Sequence, residues 1–234
     1  MLASLDLQAA AAAQQSDPAV FLLLLIAMAL LPFVLTMITS FAKIVIVGGI
    51  LRQALGMPQI PPTSVLTGIA LILTIHIMSP VAARVWQAVE PTLQQTEEAD
   101  LDAAAIVLAG TPPVREFLEA HSETENVGLF RSLRGRLAAR DAPALPSDVG
   151  AALETLTVYA PAFILSELTE AFQIGFLLFV PFLILDLVVS NILLALGMHM
   201  LSPVTISLPL KLLLFVLVDG WRLILEGVVL GYAR

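Results

Sequence analysis

The second half of the chain is almost continuously apolar, and one stretch, ALGMHMLSPVTISLPLK at residues 195–211, interrupts it. Two apolar segments, residues 172–185 and 187–201, lie on either side of Asp186. Each would form roughly 22 Å of helix, which is short for a bilayer core of about 30 Å, whereas a joined helix of over ~40 Å would need strong tilt. We therefore expect a helical hairpin that packs against protein.

The interruption has the composition of a hairpin turn. Gly197 permits a bend that other residues resist. Ser202 followed by Pro203 favours the start of a new helix, because serine caps helix N-termini and proline is tolerated at the first helical position. Between these hinge residues the turn carries three consecutive side chains with sulfur or ring nitrogen, Met198, His199 and Met200.

Hydropathy divides the chain into four regions: a polar N-terminal segment (1–18), a first hydrophobic helical region (19–83) with a basic loop (39–64), a polar insert (84–157) and a second hydrophobic hairpin region (158–234) with the methionine loop (197–203). No basic residue precedes Lys43, so we expect no secretory signal peptide. The fold class is therefore all-α and membrane-associated, with long broken helices in hairpins and a small helical insert.

Two prolines predict interruptions in the first hydrophobic region. The apolar run at 19–38 is long enough to cross a bilayer, and Pro32 inside it predicts a kink or a break. A second run, 65–83, contains Ser79 and Pro80, which predict that one helix ends and another begins there.

The insert is acidic. Residues 90–154 carry twelve acidic side chains and five arginines, which account for −7 of the net charge of −8. Residues 112–121 and 129–140 are predicted to form amphipathic helices. The apolar faces of these two helices are Val114, Phe117 and Leu118 in the first, and Leu129, Phe130, Leu133 and Leu137 in the second.

Several ionisable residues lie within or beside the apolar runs, where an unpaired charge costs several kcal/mol. The candidates for intersubunit or intrasubunit charge pairs are Lys43, Glu167, Glu170, Asp186, Lys211 and Asp219. Mutual pairing of Asp186 with Lys211 is a specific hypothesis. Snorkelling or exposure at helix ends is the preferred explanation for Arg84, Arg222 and Glu226.

The sequence lacks the marks of an enzyme. It has no cysteine, which excludes disulfides and thiolate chemistry, and it contains no HExxH, GxSxG or P-loop pattern. Asp186 and Asp219 lack the glycine-flanked motif of intramembrane aspartyl proteases. Nothing indicates a cofactor, and the chain lacks the cluster of basic residues that a nucleic-acid surface needs.

Two short words recur and raise an alternative from another class. ALGM occurs at Ala54 and Ala195, and HIMSPV at His76 is similar to HMLSPV at His199. Such echoes are typical of transporters built from internal repeats of broken helices. Methionine and histidine also suit Cu(I). A stand-alone transporter or channel for small solutes or metals therefore stays open.

Four longer blocks closely resemble the FliP/SctR family, the core export-gate subunits of bacterial type III secretion systems. They are SFAKIVIVGGILRQALGMPQIPP, MSPV, PAFILSELTEAFQIGFLLFVPFLILDLVVSNILLALG and LSPVTISLPLKLLLFVLVDGW, within residues 31–83 and 156–226. The stretch LVVSNILLALGM, together with the expected absence of a signal peptide, favours the injectisome branch (SctR, also called YscR or HrcR) over the flagellar one.

The resemblance implies a function without catalysis. Members of the family form a pentamer with SctS- and SctT-type subunits, in the basal body at the bacterial inner membrane, with much of the assembly on the periplasmic side. The SctU-type switch protein, the inner rod and needle proteins, membrane lipids and unfolded secreted proteins are the implied partners, and the insert would be periplasmic.

The resemblance also implies a role for the methionine loop. In the family, consecutive methionines after ALG ring the closed channel as a gasket, and Met198 and Met200 match that pattern while His199 departs from it. Methionine is apolar and deformable, so such a ring can seal and then yield around a passing chain.

Overall fold

The computed structural model describes residues 18–95, 103–137 and 146–233, and within those ranges it contains helices and turns but no strand. In the first half the helices are α1 (Pro18–Met37), α2 (Phe41–Ala54) and α3 (Thr63–Gln95). The insert contributes α4 (Ala103–Ala120) and α5 (Thr124–Leu137). From the end of the insert onward the chain contains α6 (Ser147–Glu154), a π-helical turn (Thr155–Tyr159), α7 (Ala160–Ala195), α8 (Pro203–Leu217) and α9 (Gly220–Leu230). The all-α expectation is confirmed.

Of the first compact unit of the chain, residues 1–37, the structure describes helix α1. Helix α1 runs through Pro32, so the break expected there is absent. Large apolar side chains along it are exposed, among them Met28 and Phe33. An apolar helix with exposed side chains of this kind is typical of contact with lipid or with another protein.

Helix α3 also runs unbroken through Ser79 and Pro80, which makes the predicted helix boundary wrong. Proline has no N–H, so Pro80 cannot donate to the carbonyl of residue 76 four positions earlier. The hydroxyl of Ser79 donates to the His76 carbonyl oxygen at 2.9 Å instead. The serine thus replaces the missing backbone bond, and the helix continues.

The second half begins with one very long helix. Residues Ser147–Ala195 form 49 helical residues, with a single π-helical turn, and pass through Asp186 without interruption. This segment and Thr63–Gln94 are the two helices in the described ranges that are long and apolar enough to cross a membrane. The turn at residues 196–202 then leads into α8, as the sequence predicts.

The amphipathic helices of the insert are present, but only one uses the predicted face. Phe117 and Leu118 of α4 are buried. In α5, Phe130 packs on the core, whereas Leu137 is 85% exposed. Asn126 donates to Ser166 at 2.9 Å, and this bond fixes a different face of α5 against α7.

Two hydrophobic cores hold the second unit together, residues 38–233. The first joins α2, α3, α7, α8 and α9, and includes Val47, Leu51 and Phe215. The second joins α3, α4, the π-helical turn and α7, and includes Leu118 and Phe163. The insert is therefore attached to the membrane-type helices through its own apolar core.

Helices α2 and α7 cross at a glycine. A Cβ atom placed on Gly175 of α7 would lie 2.4 Å from Cδ1 of Ile50 on α2. A larger side chain at this position requires the Ile50 side chain or one of the helices to shift, so Gly175 permits the close approach of these two helices.

Candidate functional site

The hairpin turn closes by a specific glycine cap at the end of α7. Gly197 has φ = +73°, a left-handed conformation that glycine adopts without strain. The Met198 amide donates to the Leu193 carbonyl at 2.9 Å, and the Gly197 amide donates to the Leu194 carbonyl at 3.0 Å. This pair of bonds is the Schellman motif, which satisfies the last carbonyls of a helix.

The turn presents its methionines outward. Met200 is 98% exposed and Met198 is 46% exposed, and His199 is exposed as well. Pro203 then begins α8 after Ser202, whose backbone is extended and whose side chain makes no capping hydrogen bond. The serine cap expected from the sequence is therefore not formed, and a hinge role for these residues stays a prediction. The exposed methionine side chains are free to contact another molecule.

The recurring word ALGM is explained by a repeated cap. Gly56 has φ = +78°, the Met57 amide donates to the Arg52 carbonyl at 3.1 Å, and the Gly56 amide donates to the Gln53 carbonyl at 2.9 Å. The second echo has no such basis, because Ser79 lies inside α3 and Ser202 precedes a helix start. The echoes therefore mark shared local chemistry rather than a repeated broken helix.

A buried ion pair joins the two arms of the hairpin. Lys211 Nζ on α8 lies 2.7 Å from Asp186 Oδ2 on α7, and the lysine side chain is 4% exposed. Ser207 donates to the other carboxylate oxygen at 2.5 Å. Lys211 also donates to the Ala54 carbonyl at 3.3 Å, at the end of α2. Both carboxylate oxygens and the ammonium thus have partners within one chain.

A second buried cation lies where α2 meets α7. Lys43 Nζ is 2.5 Å from Glu170 Oε2 and 3.6 Å from Glu167 Oε2. The side chains of Lys43 and Glu167 are 1% and 3% exposed. The two glutamates lie three residues apart on one face of α7, so a single lysine reaches both.

Tyr232 completes this cluster, and no local sequence pattern indicates it, because it lies 65 residues from its hydrogen-bond partner Glu167. Its hydroxyl donates to Glu167. Lys43 Nζ lies 4.6 Å from the centre of its ring. Burial raises the pKa of the Tyr232 hydroxyl, and the nearby Glu167 raises it further, so the hydroxyl stays protonated and remains a donor.

The charges proposed from sequence thus separate into two groups. Lys43, Glu167 and Glu170 come together in one cluster, and Asp186 and Lys211 in another. Asp219 joins neither; it is exposed, with φ = +51°, and has no ion pair within the described ranges. The burial of these charges is compensated inside one chain, and a contact between subunits stays a prediction.

The insert has its own polar cluster around the hydroxyl of Tyr159. Arg115 and Arg131 each donate to it at 3.1 Å, and both lie within 3.6 Å of a carboxylate oxygen of Glu154. The Arg115 guanidinium stacks 4.7 Å from the ring centre. Helices α4 and α5 are thereby bonded to the start of the long helix at its π-helical turn.

No cluster of three or more histidine, aspartate or glutamate side chains in the described ranges has the geometry to hold a metal ion. The site consists of an exposed apolar loop at the end of a hairpin whose arms are joined by buried ionic contacts. Such an arrangement is suited to positioning a loop.

Comparison with known proteins gives a consistent assignment. The model of the FliP family matches residues 24–228. The chain is 46% identical over 204 residues to the flagellar biosynthetic protein FliP of Pectobacterium carotovorum, covering 87% of this chain and 74% of that protein. It is 42% identical to the Yop proteins translocation protein R of Yersinia pestis, covering 94% and 98%. It is 39% identical to the hypersensitivity response secretion protein HrcR of Ralstonia nicotianae, covering 94% and 99%. The chain belongs to the FliP family of type III secretion and flagellar export proteins.

Proposed function

We propose that this chain is a subunit of a type III export gate, where five copies assemble with SctS- and SctT-type subunits around a passage for unfolded proteins. The observation that supports this most directly is the exposed methionine loop. Met200 is 98% exposed at the end of a hairpin whose base is fixed by the buried pair of Asp186 and Lys211. A rigid hairpin with a soft apolar end is suited to a constriction.

The surface of the hairpin supports assembly into a larger complex. Large apolar side chains on both arms are exposed, including Ile184, Leu187, Val216 and Leu217. Exposed apolar side chains in such number are typical of surfaces that contact lipid or other proteins. In the proposed assembly, neighbouring subunits and the SctS- and SctT-type chains cover these faces.

The methionine side chains provide the seal in this proposal. A methionine pair from each of five subunits would form an apolar ring, which excludes water and ions while no polypeptide is present. The long unbranched side chains then rearrange around a passing chain at little cost, because methionine has several accessible rotamers. His199 lies between them, and nothing in the structure explains its departure from the family pattern.

Ion leak through the assembled gate tests the sealing role. Replacing both Met198 and Met200 by alanine should increase ion conductance of the purified complex in planar bilayers, while the complex still assembles. Met28→Ala is the control, because Met28 is 64% exposed on α1, a helix that does not form the hairpin. Unchanged conductance in the double variant would contradict the sealing role.

Co-purification tests the assembly. We expect a stable complex of this chain with SctS- and SctT-type proteins of the same organism, with five copies of this chain by native mass spectrometry. A functional oligomer of this chain alone would instead favour a stand-alone transporter.

We also propose that the complex serves an injectisome rather than a flagellum, on the resemblance of LVVSNILLALGM. Deletion of the gene should abolish secretion of effector proteins and leave swimming motility intact. Loss of motility with normal effector secretion would reverse the assignment.

A further inference from the structure

His121 lies at the junction between the insert and the membrane-type helices. It follows the last residue of α4, and its Nδ1 lies 2.8 Å from the Phe117 carbonyl oxygen. A carbonyl oxygen only accepts, so Nδ1 carries the proton in the neutral ring. The other nitrogen, Nε2, is shielded from solvent and has no hydrogen-bond partner among the described residues.

The imidazole ring also contacts the C-terminal segment. The ring centres of His121 and Tyr232 are 5.2 Å apart, and those of His121 and Phe117 are 4.5 Å apart. Tyr232 in turn donates to Glu167 of α7 and lies beneath Lys43 of α2. One aromatic side chain near the C-terminus therefore touches the insert, α2 and α7 at once.

The charged groups that face His121 are mostly acidic. A pocket of ≈ 190 Å³ is lined by His121 and by Lys43 from α2, Glu123 immediately before α5, and Glu167 and Glu170 from α7. These lining groups comprise three carboxyl side chains and one ammonium, and the neutral Tyr232 hydroxyl lies beside them on Glu167. Several carboxyl groups are therefore near enough to the ring to become hydrogen-bond acceptors for it after a side-chain rotation.

We propose that His121 is a pH-sensitive clasp, in which protonation tightens the attachment of the insert and of the C-terminal segment to α2 and α7. In the neutral form Nε2 is a buried acceptor without a donor. Protonation converts it into a donor, and a small rotation of Glu123 or Glu170, which do not hold Tyr232, supplies the acceptor. The positive ring also lies at the C-terminal end of α4, where the helix dipole favours a cation.

Histidine is the side chain whose charge changes between about pH 5 and 8 in ordinary surroundings. The clasp therefore links the insert to the proton concentration on its own side of the membrane. This inference concerns contacts within one chain and does not rest on the proposed export function, so it is tested on the isolated subunit in detergent.

A spin label on the C-terminal segment measures the clasp directly. The chain has no cysteine, so Ala233→Cys gives a single labelling site next to Tyr232, at an exposed position. We expect the ratio of immobile to mobile label to rise roughly twofold to fivefold from pH 7.5 to pH 5.5, as a charged hydrogen bond in a half-buried site forms.

Histidine variants provide matched controls. The same label in His121→Gln should lose the pH response, whereas His76→Gln and His199→Gln should keep it, because both of those histidines are exposed and outside the pocket. Tyr232→Phe is a second control, because it perturbs the same cluster but keeps both His121 and the contact between the two rings. It should retain a pH response of the same sign, which shows that a change in this cluster does not by itself abolish the response. The proposal is overturned if the mobility of the label does not change with pH in the Ala233→Cys chain that keeps His121. It is also overturned if His121→Gln leaves the pH response unchanged.

Discussion

Asp186 and Lys211 lie on opposite arms of one hairpin and form its buried ionic contact, with 2.7 Å between the carboxylate and the ammonium. The position of the methionine loop depends on this contact, because Lys211 also donates to the Ala54 carbonyl and so ties both arms to the end of α2. Because a buried charge needs its partner at one position, we expect the pair to fix the register of the two arms.

A double-mutant cycle on this pair should reveal strong coupling. We expect Asp186→Ala and Lys211→Ala each to destabilise the folded chain by about 2–4 kcal/mol, because each leaves a partly or fully buried group without its partner. The double variant should cost less than the sum of the two. Thermal unfolding of the detergent-solubilised chain measures the difference.

The exposed pair of Arg222 and Glu226 is the matched control. Their side chains are 76% and 58% exposed, and their closest atoms are 3.7 Å apart. The same cycle there should give a coupling of only about 0–0.5 kcal/mol. Equal coupling at the two pairs would mean that burial does not strengthen the hairpin contact.

Substitution at the crossing of α2 and α7 should be costly. Gly175→Ala places a Cβ 2.4 Å from Ile50 Cδ1, so we expect a loss of about 1–3 kcal/mol from overpacking. Shortening the neighbour in Gly175→Ala/Ile50→Ala should recover part of the loss. Gly68→Ala, at a helical position with nothing within 4 Å, should be neutral or slightly stabilising. If Gly68→Ala costs as much as Gly175→Ala, the close approach is not the cause.

Removing the Tyr232 hydroxyl should produce a pH-dependent effect. Tyr232→Phe leaves a nearly buried Glu167 carboxylate oxygen without its donor, for a cost of about 1–2 kcal/mol. Because the pKa of Tyr232 is raised in the folded chain, its contribution is complete below the ordinary tyrosine pKa of about 10. Above that pH the unfolded chain ionises first, and the stability difference between the two proteins should shrink.

That difference is best followed by chemical denaturation between pH 8 and pH 11. A difference that grows with pH would contradict the raised pKa of the hydroxyl. Tyr159→Phe does not serve as a control, because its hydroxyl accepts from two arginines and has a separate role in the insert.

The serine before Pro80 should matter more than an ordinary helical serine. Ser79→Ala leaves the His76 carbonyl without a donor, and we expect a cost of about 1 kcal/mol or a bend at this point in α3. Ser132 of α5 donates in the same way to the Leu129 carbonyl at 2.8 Å, but that carbonyl is followed by no proline. Ser132→Ala should therefore leave stability almost unchanged, as measured by thermal unfolding. If Ser79→Ala and Ser132→Ala destabilise the protein equally, the Ser79 hydroxyl does not replace the backbone hydrogen bond that Pro80 lacks.

The sequence alone predicted the all-helical class, the hairpin turn and the family, but it placed a helix boundary wrongly at Ser79 and Pro80. In long apolar runs away from water, the backbone N–H and C=O groups must bond to one another, and a helix achieves this. Gly197, together with Ser202 and Pro203, marks the hairpin turn by its local conformational preferences. Each of these signals lies within a few neighbouring residues. The hydrophobic pattern of residues 112–121 likewise predicted which side of α4 is buried.

Only the tertiary structure decided which groups meet. Nothing near Tyr232 in the chain indicates that it contacts Lys43 and Glu167, and the packing of α5 turns Leu129 and Leu137 outward against their periodicity. Ser79 and Pro80 satisfy the local rule for a helix start, yet the helix continues because the serine hydroxyl supplies the bond that proline lacks. Local patterns fix backbone conformation, whereas the pairing of buried charges depends on contacts between residues far apart in sequence, which no local pattern encodes.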